Sequence, residues 1–268
     1  MKLISSLANS QLKALAGLRY SAARRKTDTF MVEGAREIAQ ALRAAYQLQI
    51  FLFCPSLYSK LGAEIAAEVQ AKYRDAQLIE LSAPCFNALV MRKDSDGIVG
   101  VFTPRAHRLE QLVLPKNPLV LALEQVEKPG NLGALLRSAD GAGVSAVVVL
   151  TDAAADLYHP HCIRASLGTV FSLPIAVASN EEYRALCQEQ QIAVYAACLS
   201  EQAVGYSSVS YKRASTILVG SEAWGLSEFW QRECTQQIFL PMRGQADSLN
   251  VSVAAGVLLY EALRQRSL

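Results

Sequence analysis

The first hundred residues alternate between two hydrophobic periods. From Ser10 to Arg25, Leu12, Leu15, Leu18 and Ala22 recur at steps of three and four, which predicts a short amphipathic helix with a basic outer side. FMVEG then reads as a strand, AREIAQALRAAY as a helix, IFLFC as a strand, KLGAEIAAEVQAKY as a helix and QLIEL as a strand. SDGIVGVFTP closes this half as a Gly-punctuated strand. Such alternation predicts an α/β layer on a parallel sheet. PRAHRLEQLVLPKNP follows, with proline at both ends and charge between, the composition of a linker.

The second half opens with PLVLALEQV, a nearly unbroken apolar run of the kind buried on both faces. It stops at EKPGN, LGALLRSADGAG reads as a helix, SAVVVLT as a strand, and HCIRASLG as a further helix. FSLPIAVA, IAVYAACL, STILVGSE and QIFLPM supply more strands. In SLNVSVAAGVLLYEALRQR, Val251, Ala254, Ala255, Leu258, Leu259 and Ala262 line one face of a closing helix. There is no internal repeat and no low-complexity segment. The pattern divides the chain into two α/β domains, residues 1–103 and 119–268, joined by a linker at 104–118.

Composition narrows the class. The 268 residues are 51% hydrophobic and 19% charged, and no apolar run approaches the roughly 20 residues of a membrane span. MKLISSLANSQLKAL has neither a long apolar stretch nor a small-residue cleavage site, so a cytoplasmic protein without a signal peptide is expected. Six cysteines are scattered without a C-x-x-C pair and read as reduced, mostly buried thiols. With only His107, His159 and His161 in the chain, a metal site is not expected, because H-P-H is not a zinc spacing. The net charge of +2 hides an asymmetry: residues 1–30 hold Lys2, Lys13, Arg19, Arg24, Arg25 and Lys26 against Asp28 alone. That basic end is either a phosphate-contacting arm or a solvated helix face.

One motif misleads. Gly141-Ala142-Gly143-Val144-Ser145-Ala146 fits the dinucleotide string G-x-G-x-x-A. In a dinucleotide fold those glycines follow a strand and open a helix, whereas here they close a helix and precede a strand. A helix C-cap is the simpler reading, and a nucleotide-binding oxidoreductase is correspondingly disfavoured.

Three other segments place polar residues at the carboxyl end of a buried strand, where open α/β sheets bind ligands. They are Glu124 to Asp140, with Asn131 and Arg137; Val219 to Ser227, with Gly220, Glu222 and Trp224; and Leu240 to Ser252, with Ser248, Leu249 and Asn250. Taken singly, Asn131 and Asn250 read equally well as helix caps and Glu222 as a loop carboxylate.

In this order the segments resemble the three signature motifs of the SpoU/TrmH family of the SPOUT class: N-x-G-x-x-x-R, G-x-E-x-x-G and S-L-N-V-S. The resemblance extends to RASLG at residues 164–168 and, at the amino end, to NSQLKALAGL, the basic RRK and FMVEGAREIAQAL. Ala223 departs from the glycine that many members carry after the second-motif glutamate.

The resemblance implies a C-terminal trefoil-knotted SPOUT methyltransferase domain behind a smaller N-terminal α/β domain that binds substrate RNA. It implies S-adenosylmethionine as cofactor, held by Gly220, Leu240, Leu249 and the Ala197, Cys198, Leu199 loop, and a homodimer formed through the knot region. The implied reaction is methylation of a ribose 2′-hydroxyl of structured RNA, ribosomal in preference to transfer RNA; a catalytically inactive RNA-binding protein of the same fold is the alternative. Displacement at a sulfonium needs no metal, but charge grows on the attacking oxygen. Arg137, cationic at neutral pH, suits its stabilisation. By resemblance Asn131 orients Arg137 or the ribose, Glu222 holds Asn131 or the nucleotide, and Ser248 with Asn250 fixes the third-motif loop. Arg24, Arg25 and Lys26 are the expected RNA contacts. Arg164 is open between an ion pair and RNA, and Trp224 between base stacking and an interface. His159 and His161 are expected on the loop before the RASLG helix, without a catalytic role.

Overall fold

The computed structural model describes residues 2–92, 95–151 and 156–267. They form two compact units, residues 2–106 with 156–172, and residues 107–151 with 173–267.

The first unit is a five-stranded sheet, β1 (Lys2–Ile4), β2 (Phe30–Glu33), β3 (Leu48–Phe53), β4 (Gln77–Leu81) and β5 (Ile98–Phe102), in the order β1-β4-β3-β5-β2. Its helices are α1 (Ser10–Ala16), α2 (Ser21–Thr27), α3 (Ala35–Arg43), α4 (Lys60–Lys72) and α5 (Ala83–Leu89). The sheet is mixed, not parallel as the alternation predicts, because β5 runs antiparallel to both β3 and β2. Only Ser82 separates β4 from α5, whose seven residues do not carry the chain back along the strand, so β5 enters from the end at which β4 leaves.

The single helix expected from Ser10 to Arg25 is broken. Gly17–Arg19 is a 3-10 turn and Tyr20 is extended at φ −98°, ψ 137°. Arg24 donates from Nη1 to the carbonyls of Leu18 (2.7 Å) and Arg19 (2.9 Å), acceptors that a continuous helix would pair with its own backbone. Leu12, Leu15 and Leu18 still face inward, joining Phe86 and Leu89 over Met31, Leu52 and Ile79.

The second unit is a seven-stranded, wholly parallel sheet with the order β10-β12-β9-β11-β6-β7-β8 among the described residues. The chain passes through β6 (Leu119–Glu124), α6 (Pro129–Ala142), β7 (Ala146–Leu150), α7 (Pro160–Ala165), β8 (Ile175–Ala178) and α8 (Asn180–Glu189). It continues through β9 (Ala193–Ala197), β10 (Val204–Gly205), β11 (Ser215–Val219), α9 (Glu228–Glu233), β12 (Gln236–Phe239) and α10 (Val251–Arg266). Every residue of β6, β7 and β11 is buried, as their apolar runs require. Gly143, left-handed at φ 67°, ends α6 and donates to the carbonyls of Ala139 and Asp140, so the G-x-G string is a C-cap. The linker's second half packs on this sheet: the His107 carbonyl accepts from Val177 N at 2.7 Å, and Leu109, Leu112 and Leu114 lie on the core.

The segment at residues 156–172, including α7, packs in the first unit, whereas the sequence reading assigns it to the second domain. The cause is aromatic. Tyr158 stacks on Phe30 at 4.1 Å between ring centroids and reaches the Tyr46 hydroxyl at 3.2 Å, and Phe171 meets Tyr46 edge-on at 5.1 Å. His159 caps α7, and His161 lies in its first turn and not on the preceding loop as expected.

Candidate active site

Register builds the site. Leu218 of β11 lies opposite Ala196 of β9, and Ile238 of β12 opposite Ala197, so the three parallel strands end level. The loops that follow open one cavity of about 610 Å3 at their carboxyl ends. Ala197, Cys198 and Leu199 line it from β9, Gly220, Glu222 and Trp224 from β11, and Leu240, Met242, Ser248, Leu249 and Asn250 from the segment between β12 and α10. Lys128, at the head of α6, lines it as well.

Two features hold this rim. A Cβ on Gly220 would sit 2.3 Å from the Gly225 carbonyl oxygen and 2.7 Å from Leu226 N, so only glycine permits the tight turn that presents Glu222 and Trp224. The turn is anchored below by Glu124, the 1% exposed last residue of β6. Its carboxylate accepts from Ser227 N (2.8 Å), Ser227 Oγ (2.6 Å) and Asn180 Nδ2 (3.0 Å), and Asn180 Oδ1 accepts from Trp230 Nε1 (2.8 Å). Four polar groups are thereby satisfied in a buried network. The sequence places Glu124 and Lys128 in the first polar segment but gives neither a role. The signal for the first is a carboxylate ending an otherwise apolar strand; for the second, a cation beside Pro129-Gly130-Asn131.

The expected catalytic residues divide. Asn250 caps α10, accepting from Ser252 N at 3.0 Å and Ser252 Oγ at 2.6 Å, and its Nδ2 reaches Asn131 Oδ1 at 3.5 Å. Glu222 does not hold Asn131; its carboxylate pairs with Lys128 at 3.0 Å. Arg137 lies on the exposed side of α6, outside the cavity lining, and no hydrogen bond or ion pair joins it to a described residue. Trp224 stands 86% exposed at the rim. Burial pushes the Cys198 thiol up from its ordinary pKa, and its Sγ donates to Gln237 Oε1 at 3.4 Å, so it lines the cavity as a neutral thiol.

Of the expected RNA contacts, Arg25 and Lys26 are exposed, but Arg24 is not available. It is 6% exposed, and besides the two carbonyls it pairs with Asp156, so its charge is spent inside the unit. Arg164 is exposed and forms no ion pair with a described residue; it borders a small hollow with Glu33, Arg92 and His161.

Residues 118–260, over half the chain, match the SpoU rRNA Methylase family. The chain belongs to this family. Residues 9–100 of this SpoU methylase match the MRM3-like substrate binding domain. Among its relatives is the 23S rRNA (guanosine(2553)-2′-O)-methyltransferase RlmP of Bacillus subtilis, 28% identical over 97% of this chain and 98% of that one. The 23S rRNA (guanosine-2′-O-)-methyltransferase RlmB of a Burkholderia species is 35% identical over 72% of this chain and 79% of its own. Among solved structures, an RNA 2′-O ribose methyltransferase superposes with a TM-score of 0.86 at 37% identity, covering 99% of this chain and 100% of that one. An AdoMet-bound rRNA methyltransferase from Sinorhizobium meliloti gives 0.85 at 30%, covering 98% and 97%.

Proposed function

We propose that this SpoU methylase transfers a methyl group from S-adenosylmethionine to a ribose 2′-hydroxyl of ribosomal RNA. The observation that carries the reading is the convergence of Ala197, Cys198, Leu199, Gly220, Leu240 and Leu249 on one cavity. Its volume of about 610 Å3 suits a nucleoside-sized cofactor. Leu199, Leu240 and Leu249 offer apolar walls, and Gly220 lines the cavity through a turn too tight for any side chain. The relatives named for 23S rRNA favour ribosomal over transfer RNA.

When bound, the cofactor supplies an electrophilic methyl group on a sulfonium. The chain's own work is positioning and electrostatics. Asn250 and Asn131 tie the head of α10 to the head of α6, fixing the Ser248 to Asn250 loop against the cavity. Arg137 carries a guanidinium, a donor-only cation with no acceptor site, so it is suited to stabilise charge and not to take a proton as base. It stabilises the charge developing on the ribose oxygen, and the proton leaves to a phosphate oxygen or water.

The same reading includes a trefoil-knotted C-terminal domain, less the 156–172 segment that packs in the first unit, an RNA-gripping N-terminal domain, a homodimer and work in the cytoplasm. Val253 (51% exposed), Val257 (39%) and Tyr260 (53%) form an apolar stripe along α10, which a second copy would cover. Among the described residues no helix is long and apolar enough to cross a membrane.

The test is incubation with labelled S-adenosylmethionine and ribosomal RNA from a strain lacking the modification, mapped by primer extension at low nucleotide concentration. One ribose-specific stop is expected from the wild type and a loss of more than tenfold in rate from Arg137→Lys. Absence of transfer to any RNA would overturn the reading.

A further inference from the structure

Lys128 and Glu222 face each other across the cavity mouth with Nζ and Oε2 3.0 Å apart. Their backbones are fixed. Lys128 precedes Pro129 and is held extended at φ −73°, ψ 116°. Glu222 sits in the turn from Gly220 to Gly225, which is closed by Gly225 N donating to the Ser221 carbonyl at 2.8 Å. The movable part is the lysine stem, its side chain 72% exposed against 24% for the glutamate side chain. Arrangement and charge therefore give the cavity a carboxylate whose counter-ion can be taken away by a stronger anion arriving from solvent.

The two states of the cofactor differ by one charge. The methylated form carries a sulfonium, an ammonium and a carboxylate, net positive by one; the demethylated product has lost the sulfonium charge and is neutral overall. A bare Glu222 attracts the first more than the second, and a paired Glu222 discriminates little between them. Resting on the methyltransferase reading, we infer that Lys128 is a specificity-determining counter-ion: it masks Glu222 in the RNA-free protein, and RNA phosphate, by drawing Lys128 off, unmasks Glu222 to favour the cationic cofactor over its neutral product. Polyanion competition for a solvent-exposed lysine is the ordinary chemistry of RNA binding.

The experiment is calorimetric titration of the full chain with S-adenosylmethionine and with S-adenosylhomocysteine, without RNA and then with a 23S rRNA transcript. The readout is the ratio of the product Kd to the substrate Kd. Lys128→Gln is expected to raise this ratio about two- to fivefold without RNA, the range of a partly exposed ion pair. Lys128→Arg should keep the wild-type ratio. In a Glu222→Gln background the Lys128→Gln change should have no effect, and the transcript should raise the ratio for wild type and Lys128→Arg but not for either glutamine variant. A Lys128→Gln ratio equal to wild type, or an equal change with and without Glu222, overturns the inference, as does a wild-type ratio indifferent to RNA. Wild-type protein that binds neither compound overturns the methyltransferase reading itself, and this inference with it.

Discussion

Replacing Gly220 with alanine tests the architecture of the cavity at its tightest point. The added Cβ would lie 2.3 Å from the Gly225 carbonyl oxygen, 2.4 Å from its carbon and 2.7 Å from Leu226 N. All three are backbone atoms, so no side chain can turn aside. Restoring ordinary contact requires the turn to move by about 1 Å, since non-bonded heavy atoms settle near 3.5 Å. Overpacking of this kind costs about 1–3 kcal/mol, which for a chain of this size lowers Tm by roughly 2–12 °C. The same shift displaces Glu222 and Trp224, so cofactor affinity should fall by about tenfold, the equivalent of about 1.4 kcal/mol. Gly130→Ala is the matched control, because its Cβ meets nothing within 4 Å. Calorimetry with S-adenosylmethionine and a thermal melt read both effects. A Gly220→Ala protein with wild-type affinity and Tm would refute the claim that this close approach shapes the site.

Three further outcomes are expected. Glu124→Gln supplies an amide NH2 where three donors need acceptors, so urea unfolding should show a loss of about 1–3 kcal/mol, with weakened cofactor binding because Ser227 loses its anchor. Arg25→Gln with Lys26→Gln should reduce the slope of log affinity for RNA against log salt by about 1–2, whereas Arg24→Gln should act mainly on stability, its guanidinium being committed to Leu18, Arg19 and Asp156. Hydrogen bonds from Arg264 and Gln265 hold Glu261 down to about 2 from an ordinary 4.5. A lowered folded-state pKa adds stability that is present above pH 4.5 and lost as pH falls toward 2. Urea melts across that window should therefore show a decline that Glu261→Gln lacks.

The second unit was legible because its strands are unbroken apolar runs, a pattern that only burial on both faces produces, and because its three motifs follow β6, β11 and β12, whose carboxyl ends lie on one edge of the parallel sheet with β9 between the last two. The first unit was harder to read. The antiparallel entry of β5 depends on how far α5 travels, which period-two alternation does not encode. α8 opens on a readable Ser179-x-x-Glu182 capping box, but its wheel is weakly apolar and the periodicity passed over it. Arg24 is one of three adjacent cations, and nothing local marks it as the one that turns inward; its partner Asp156 lies 132 residues away. Glu222 was likewise identifiable as a site residue while its partner Lys128 was not, because the pairing follows from two loops meeting across a cavity.

The 156–172 segment has a practical consequence for anyone wishing to take the protein apart. The chain leaves its second unit after β7, supplies Tyr158 and Phe171 to the aromatic cluster around Phe30 and Tyr46, and then returns to form β8. A cut at the linker would leave a front fragment whose Phe30 and Tyr46 lack their stacking partners, and a back fragment carrying those partners as an exposed apolar loop. Modular expression thus calls for two cuts and a transplanted strip, and evolution by simple fusion or loss of an amino-terminal module would have to solve the same stitching problem.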